Sequence, residues 1–257
     1  MANAPAARHA LRLLRLLAAH AAPMPASAIA RELELPRSTV YHVLSVLREE
    51  GFVVHLPAER RYGLGVAAFE LGSAYARQEP LRRVAAPALA RMVTATGHNG
   101  HFAVLHGTDV LYVIEERAPG RPSLVTDVGV RLPAQLTASG LAMLAGLSPA
   151  QVGALYPSRA ALVLREGRGP RSLTELRREL VRVRQDGFAT EQGSVTEGFA
   201  SVAAAVLDHR GHPVAAVALT YREREVRSPE TRAALAASTI RAAGHISRGL
   251  IGRADGP

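Results

Sequence analysis

Pro36-Arg37-Ser38-Thr39-Val40-Tyr41-His42-Val43-Leu44-Ser45-Val46-Leu47-Arg48-Glu49-Glu50-Gly51 separates into two faces when wound as a helix. Val40, Val43, Leu44 and Leu47 form an apolar stripe. Ser38, Tyr41, His42 and Ser45 fall at i, i+3, i+4 and i+7 on the opposite side, with Arg37 and Thr39 near the start. This outward face is short-chained and rich in hydrogen-bond donors and acceptors. A helix that reads base edges in a major groove needs such a face, whereas a helix that only meets solvent usually shows Glu and Lys. Pro36 suits the first helical position, where its missing N–H is not needed, and Gly51 is a natural stop.

Upstream, His9 to Ala22 reads as a helix with Ala10, Leu13, Leu14 and Leu17 on one side and Arg8, Arg12 and Arg15 as a basic ridge. A second helix covers Ala26 to Leu33 and is separated from the third by Glu34-Leu35. Downstream, Phe52 to Leu56 and Tyr62-Gly63-Leu64 read as short strands joined by a turn that bears Arg60 and Arg61. Such a hairpin is a wing, suited to touching phosphate or the minor groove. The pattern predicts a winged helix-turn-helix over residues 8–65. A three-helix subdomain whose surface hairpin binds nothing fits the same spacing; the wing and the polar face weigh against it.

Val66 to Gln78 reads as a connecting helix, with Val66, Phe69 and Ala76 plus the small Gly72 and Ser73 on one side, a linker or a dimer contact. Gln78-Glu79-Pro80 is the expected joint. From Leu81 an amphipathic helix presents Leu81, Val84, Ala85, Ala88, Leu89 and Met92. Phe102–Leu105 and Val110–Glu115 flank Gly107-Thr108-Asp109 as a hairpin, and Val202–Asp208 and Val214–Thr220 form a second around residues 209–212. Thr137-Ala138-Ser139-Gly140 starts a helix, Ser172-Leu173-Thr174-Glu175 is a capping box for another that ends at Gly187, and Ser228-Pro229 opens a last one to Ile251. Helices and hairpins in this order predict an α+β domain with a largely antiparallel sheet. The first seven and last five or six residues are expected to be loose.

Composition removes whole classes of chemistry. The 257 residues contain no cysteine and no lysine, so all 31 basic residues are arginine. Thiolate catalysis, Cys-ligated zinc, Walker phosphate loops, Schiff bases and Ser-x-x-Lys hydrolases are thereby excluded. A cysteine-free chain without an apolar signal region is expected in the cytoplasm, and no stretch is apolar enough to span a membrane. The net charge of +9 is compatible with nucleic acid, but residues 1–79 carry nine arginines against seven acidic residues, only +2.

The order and spacing of several short stretches together resemble the IclR family of bacterial transcriptional regulators, from about Arg8 to Leu250. They are residues 10–14, 29–33, Leu35-Pro36-Arg37-Ser38-Thr39-Val40, Gly51-Phe52 and Arg61-Tyr62-Gly63-Leu64-Gly65 in the first part. In the second they are Arg131-Leu132-Pro133, Thr137-Ala138-Ser139-Gly140, Asp186-Gly187-Phe188-Ala189, and Ala203-Ala204 through Asp208 and Gly211. The resemblance implies a winged helix-turn-helix (8–65), a linker helix (66–79) and a GAF-like effector-binding domain (80–251), with no cofactor. It also implies homodimers, often paired into tetramers, on palindromic double-stranded promoter sites. Small organic or aromatic acids are implied as effectors, and repression is implied more often than activation.

By position the family's effector pocket falls on Ala138, Ser139, Gly140, Glu191, Phe199, Ser201, Ala218 and Thr220. The exposed N–H groups at the start of the Thr137 helix suit a carboxylate; Thr137 and Ser139 serving only as caps is the competing reading. The chain departs from the family's usual Asp at Glu191, Glu at Ser194, Cys at Ser201, Lys at Leu141 and hydroxyl residue at Ala218. These changes predict a larger or more apolar effector, or a pocket that has lost its ligand.

Competing chemistry is thin. His98, His101 and His106 cluster, as do His209 and His212, but His98 and His101 point to opposite faces if extended, so surface histidines rather than a metal site are expected. No hydrolase elbow, His-Glu-x-x-His or dinucleotide fingerprint occurs, and Glu191 with Glu197 reads as a solvated loop pair rather than a catalytic one, so an enzyme is not expected. An interaction protein that keeps the fold without binding DNA remains open, favoured by the low charge of the first part.

Overall fold

The computed structural model describes residues 4–20, 22–78, 80–122 and 128–254. Glu79 of the expected joint, and the ends 1–3 and 255–257 of the segments expected to be loose, lie outside the described residues. The chain divides into two compact units, Met1–Glu79 and Pro80–Pro257.

The first unit opens with α1 (Pro5–Ala19), α2 (Ala26–Leu33) and α3 (Arg37–Glu49). Helix α1 begins four residues before the expected His9, because Pro5 occupies the first turn, where no N–H is required. It ends at Ala19, since His20 is already extended. Glu34 closes α2 in the left-handed region (φ 55), which turns the chain sharply into α3. Pro36 is the residue before α3 rather than its first member, since its ψ of 140 is not helical. Leu13, Ile29, Val40 and Leu44 meet in a core that excludes water almost completely. Strands β1 (Val53–Leu56) and β2 (Arg61–Leu64) then form the hairpin. Its edge is joined by Met24, whose backbone bridges Tyr62 from the segment before α2. That bridge is invisible to local pattern. Helix α4 (Val66–Gln78) follows, with Val66, Phe69 and Leu71 exposed. The side chains of Ser73 and Ala76, expected on the same face, lie outside the described residues.

The second unit is a six-stranded sheet between two layers of helix. In chain order it comprises α5 (Pro80–Thr96), β3 (Asn99–His106), β4 (Asp109–Glu116), β5 (Arg131–Pro133), α6 (Ala138–Ala145) and α7 (Pro149–Leu155). Then come α8 (Leu173–Asp186), β6 (Ala189–Gln192), β7 (Phe199–Leu207), β8 (Pro213–Arg222) and α9 (Pro229–Ala254). The strand order is β5-β4-β3-β8-β7-β6, and every neighbouring pair is antiparallel. Alternation sorts the side chains. Phe102, Val202, Ala204 and Val217 pack beneath α5 and α9, while Ala103, Tyr112, Ala203 and Ala218 face α6.

Helix α6 is buried over all eight residues, as expected of a helix that is apolar all round. Gly140 allows its entry: a side chain there would strike the backbone of Ala134 in the preceding 3-10 turn. At the other end the Arg184 guanidinium of α8 donates to the carbonyls of Ala145 (2.6 Å) and Leu147 (3.2 Å), closing the C-terminus with positive charge. Ser148 caps α7 in a box with Gln151, an element the sequence reading passed over. At α8 the expected box is altered: Ser172 accepts from Glu175 N–H, but Glu175 accepts from Arg171 N–H rather than from Ser172 itself. Strands β7 and β8 are longer than the alternation suggests, and β6 adds an edge strand where a loop was expected.

Candidate functional site

The outward face of α3 takes no part in the core. Arg37, Ser38, Tyr41 and His42 are exposed, Tyr41 by 55%, while Thr39 and Ser45 are half-buried. Ser45 is partly committed, since its hydroxyl donates to Glu49 at 3.0 Å. In the wing, Arg60 sits exposed at the turn in the left-handed region (φ 53). Arg61 is exposed too, but its guanidinium donates to the carbonyl of Pro23 at 2.8 Å, which holds it back along the hairpin. The basic ridge of α1 is likewise divided: Arg12 donates to Leu33 O at the end of α2, whereas Arg8 and Arg15 are exposed. Among the described residues, Arg37 and Arg60 flank the polar face without a side-chain hydrogen bond back to the chain.

The second site lies between α6 and the sheet. Glu191, Ser201 and Thr220 stand directly opposite one another on β6, β7 and β8, so antiparallel register brings them to one face. Ser201 Oγ donates to Glu191 Oε1 at 2.9 Å and lies 3.0 Å from Thr220 Oγ1. Ser194 N–H donates to Glu191 at 3.1 Å, and Val195 N–H adds a further donor. Burial raises the Glu191 carboxyl above its ordinary value, and these donors partly offset the shift. Glu191 is therefore a buried strand residue rather than half of a solvated pair; Glu197 is exposed and apart from it.

Across the cavity, Thr137 caps α6 by accepting Gly140 N–H at 2.9 Å. Gly140 N–H is thus consumed, and its Cα faces the 3-10 turn rather than the cavity, so this one of the expected pocket residues does not line it. Ala138 and Ser139 do line it. Their N–H groups make no hydrogen bond among the described residues, and Ser139 Oγ is buried without a partner. Capping and an open N-terminus thus coexist on one helix: Thr137 does the first, and Ala138 and Ser139 retain the second.

Phe199, Ala218, His101 and Tyr112 complete the lining, with Val195 and Thr196 from the turn between Gly193 (φ 63) and Gly198 (φ 75). Burial keeps the Tyr112 phenol neutral by raising its pKa. The cavity measures about 10 Å³, room for about one water. A ligand therefore needs the turn or side chains to give way. A broader groove of about 550 Å³, lined by Arg178, Glu179 and Arg182, lies on the far side of Glu191. It is an open surface groove, whereas the small cavity holds the buried unsatisfied hydroxyl, so the latter is the candidate.

The histidines divide differently from expectation. His98 and His101 are buried, not on the surface, beside Tyr221 and Tyr112 respectively; His98 lies in the bend just before β3 and His101 within the strand. No group of metal-ligating side chains forms among the described residues. His101 and Tyr112 are site residues the sequence reading missed. The signal was weak, a His-x-Ala alternation in β3 that places His101 on the Ala103 face. No helix among the described residues is long and apolar enough to cross a membrane.

Comparison with known proteins places these features in context. The model of the IclR helix-turn-helix domain matches residues 6–57, and the model of the bacterial transcriptional regulator IclR C-terminal domain matches residues 73–248. The glycerol operon regulatory protein of Streptomyces coelicolor is 33% identical over 249 residues, 96% of this chain and 97% of that one. The HTH-type transcriptional repressor AllR of Salmonella typhi is 25% identical over 224 residues, 85% of this chain and 80% of that one. Among solved structures, an IclR homolog from Microbacterium hydrocarbonoxydans complexed with 4-hydroxybenzoate superposes with a TM-score of 0.81 at 23% identity. It covers 97% of this chain and 100% of that one.

Proposed function

The chain belongs to the IclR family of bacterial transcriptional regulators, and from that premise we propose that it binds palindromic promoter DNA under the control of a small organic or aromatic acid. In this reading residues 8–65 contact DNA, residues 66–79 link, and residues 80–251 form a GAF-like sensor. Helix α3 enters the major groove, where Arg37, Ser38, Thr39, Tyr41, His42 and Ser45 meet base edges and nearby phosphates. Arg60 and Arg61 of the wing meet phosphate or the minor groove, Arg61 once it leaves Pro23. The observation that carries the reading is the exposed polar face of α3: its side chains are excluded from the core that the opposite stripe builds.

A palindrome calls for two-fold symmetry, so a homodimer, or dimers paired into a tetramer, is the assembly proposed. The acid occupies the cavity of Ala138, Ser139, Glu191, Phe199, Ser201, Ala218 and Thr220, with its carboxylate on the free N–H groups of α6. The Microbacterium relative's 4-hydroxybenzoate supports an acid of that size class, and the Salmonella relative's name supports repression as the sign.

Capture of sheared genomic DNA by the purified chain at moderate salt, followed by sequencing, tests the reading. Recovery of a few intergenic sites that share a two-fold symmetric motif is expected. Sequence-indifferent recovery that falls steeply with salt, with or without added acids, would overturn it.

A further inference from the structure

Charge in the second unit is segregated. Helices α5 and α9 are a minor part of its length, yet together they carry seven arginines against one carboxylate, Glu230, a net +6. The whole chain is +9 and its first 79 residues are +2, so the remainder of the second unit is close to neutral. Helix α8 gives the contrast, its four arginines interleaved with three acidic residues. An arginine-rich composition alone produces the pattern of α8, not that of α5 and α9. The two helices pack antiparallel along one seam, since Arg91 lies against His245 and Val84 against Gly249. On α9, Arg241, His245 and Arg248 fall at i, i+4 and i+7 and are exposed; on α5, Arg83 and Arg91 are exposed beside them. The register sets Arg83 level with Arg248 and Arg91 level with Arg241, two pairs of cations about 11–12 Å apart along the helix axes. An open groove of about 550 Å³ runs along the seam, lined by Ala88, Met92, Ala95, Ser238 and Ala242 between Arg91, Arg241 and His245. Among the described residues these four arginines form no ion pair, and their one side-chain hydrogen bond runs from Arg91 to His245 Nε2 at 3.1 Å.

We propose that the α5–α9 face is a second, sequence-independent contact surface for duplex DNA, which holds the phosphate backbone outside the recognised motif. The proposal rests on the reading of this chain as a DNA-binding regulator. A stripe of like charges without counter-charges repels itself, and a polyanion laid along it relieves that repulsion while releasing its own counterions. The cations are spread along two helices rather than gathered in a pocket, which suits an extended backbone better than a compact anion. Neither helix contains Phe, Tyr or Trp. The face therefore lacks the stacking groups that grip single strands and the interfacial anchors of a membrane-binding helix. A second copy of the same face would set arginine against arginine.

The test is fluorescence anisotropy of the full chain over a salt series with two duplexes. One is the captured site alone; the other is the same site extended by two helical turns of scrambled sequence, about 20 bp, on each side. Four phosphate contacts at about 0.9 each predict a slope of log affinity against log salt steeper by about 3–4 on the long duplex for each protomer that touches the flank. Affinity for the long duplex near 0.1 M salt is expected to be about 10-fold higher or more. With Arg83→Gln, Arg91→Gln, Arg241→Gln and Arg248→Gln combined, both differences are expected to vanish while binding of the short site is unchanged. Lysine at the same four positions should restore them, because a phosphate contact of this kind needs charge rather than a fixed fork. The wild-type comparison stands even if the quadruple variant does not fold. Equal salt slopes on the two duplexes in the wild type, or a folded quadruple variant that matches the wild type on the long one, overturns this inference and leaves the promoter reading intact. A quadruple variant whose oligomeric state changes in sedimentation shows that the face joins copies of the chain, and overturns it likewise. A wild-type chain that prefers no site over a scrambled duplex overturns the promoter reading itself.

Discussion

Replacing Tyr41 and His42 together by alanine separates recognition from everything else the first unit does. Both side chains are exposed, and neither makes a hydrogen bond or ring contact among the described residues. Their removal should change folding stability by less than about 0.5 kcal/mol, and alanine is the better helix former. Each well-placed base contact contributes about 1–3 kcal/mol of discrimination, so losing two amounts to about 2–6 kcal/mol, or roughly 30-fold to 10⁴-fold in affinity for the cognate half-site. The phosphate contacts proposed for Arg37, Arg60 and Arg61 are untouched, so non-specific affinity and its salt slope should stay as they were. Fluorescence anisotropy with the captured site and a shuffled duplex, at several salt concentrations, reads both quantities. The expected result is convergence of the two affinities onto the wild-type non-specific value. If the ratio between the duplexes is unchanged in a variant with a normal melt, α3 does not present these residues to DNA and the recognition face is misassigned.

Two further perturbations test the second unit. Gly140→Ala drives a methyl onto the Ala134 backbone, which cannot rotate away. Overpacking of this kind costs about 1–3 kcal/mol or more, which for a unit of this size lowers Tm by roughly 2–12 °C. An unchanged calorimetric melt would contradict the close approach of α6 to the 3-10 turn. His98 gives a pH signature. Burial, and then the Arg121 guanidinium, hold its imidazole below the ordinary 6.5, against the opposing pull of Glu225. Below 6.5 the unfolded chain therefore binds more protons than the native one, so this contribution is complete above 6.5 and is lost as pH falls through the lowered value. The urea midpoint should decline over that window in the wild type and less steeply in His98→Phe; parallel declines would remove His98 as the cause.

The helix-turn-helix was legible because its information is local. The stripe Val40, Val43, Leu44 and Leu47 and the opposing Tyr41 and His42 are separated by helical period alone, and the structure buries the first set and exposes the second. The same holds for the alternation Ser201-x-Ala203 and Ala218-x-Thr220, which already assigns those side chains to one face of a sheet. The order of motifs carried the family and, with it, most of the cavity's residues.

Tertiary structure decided what depends on partners far apart in the chain. Only the pairing of β6 with β7 and β7 with β8 brings Glu191, Ser201 and Thr220 into one row, turning a glutamate that reads as a solvated loop residue into a buried acceptor. Only the packing of α6 on its preceding turn withdraws Gly140 from the cavity, and only the hairpin's contact with the segment before α2 ties Arg61 to Pro23. The physical reason is common to all three. Periodicity reports which way a side chain points from its own backbone, but whether it is desolvated, hydrogen-bonded or free depends on the chain it meets, which lies 10 and 19 residues away for the row, 6 for Gly140 and 38 for Arg61.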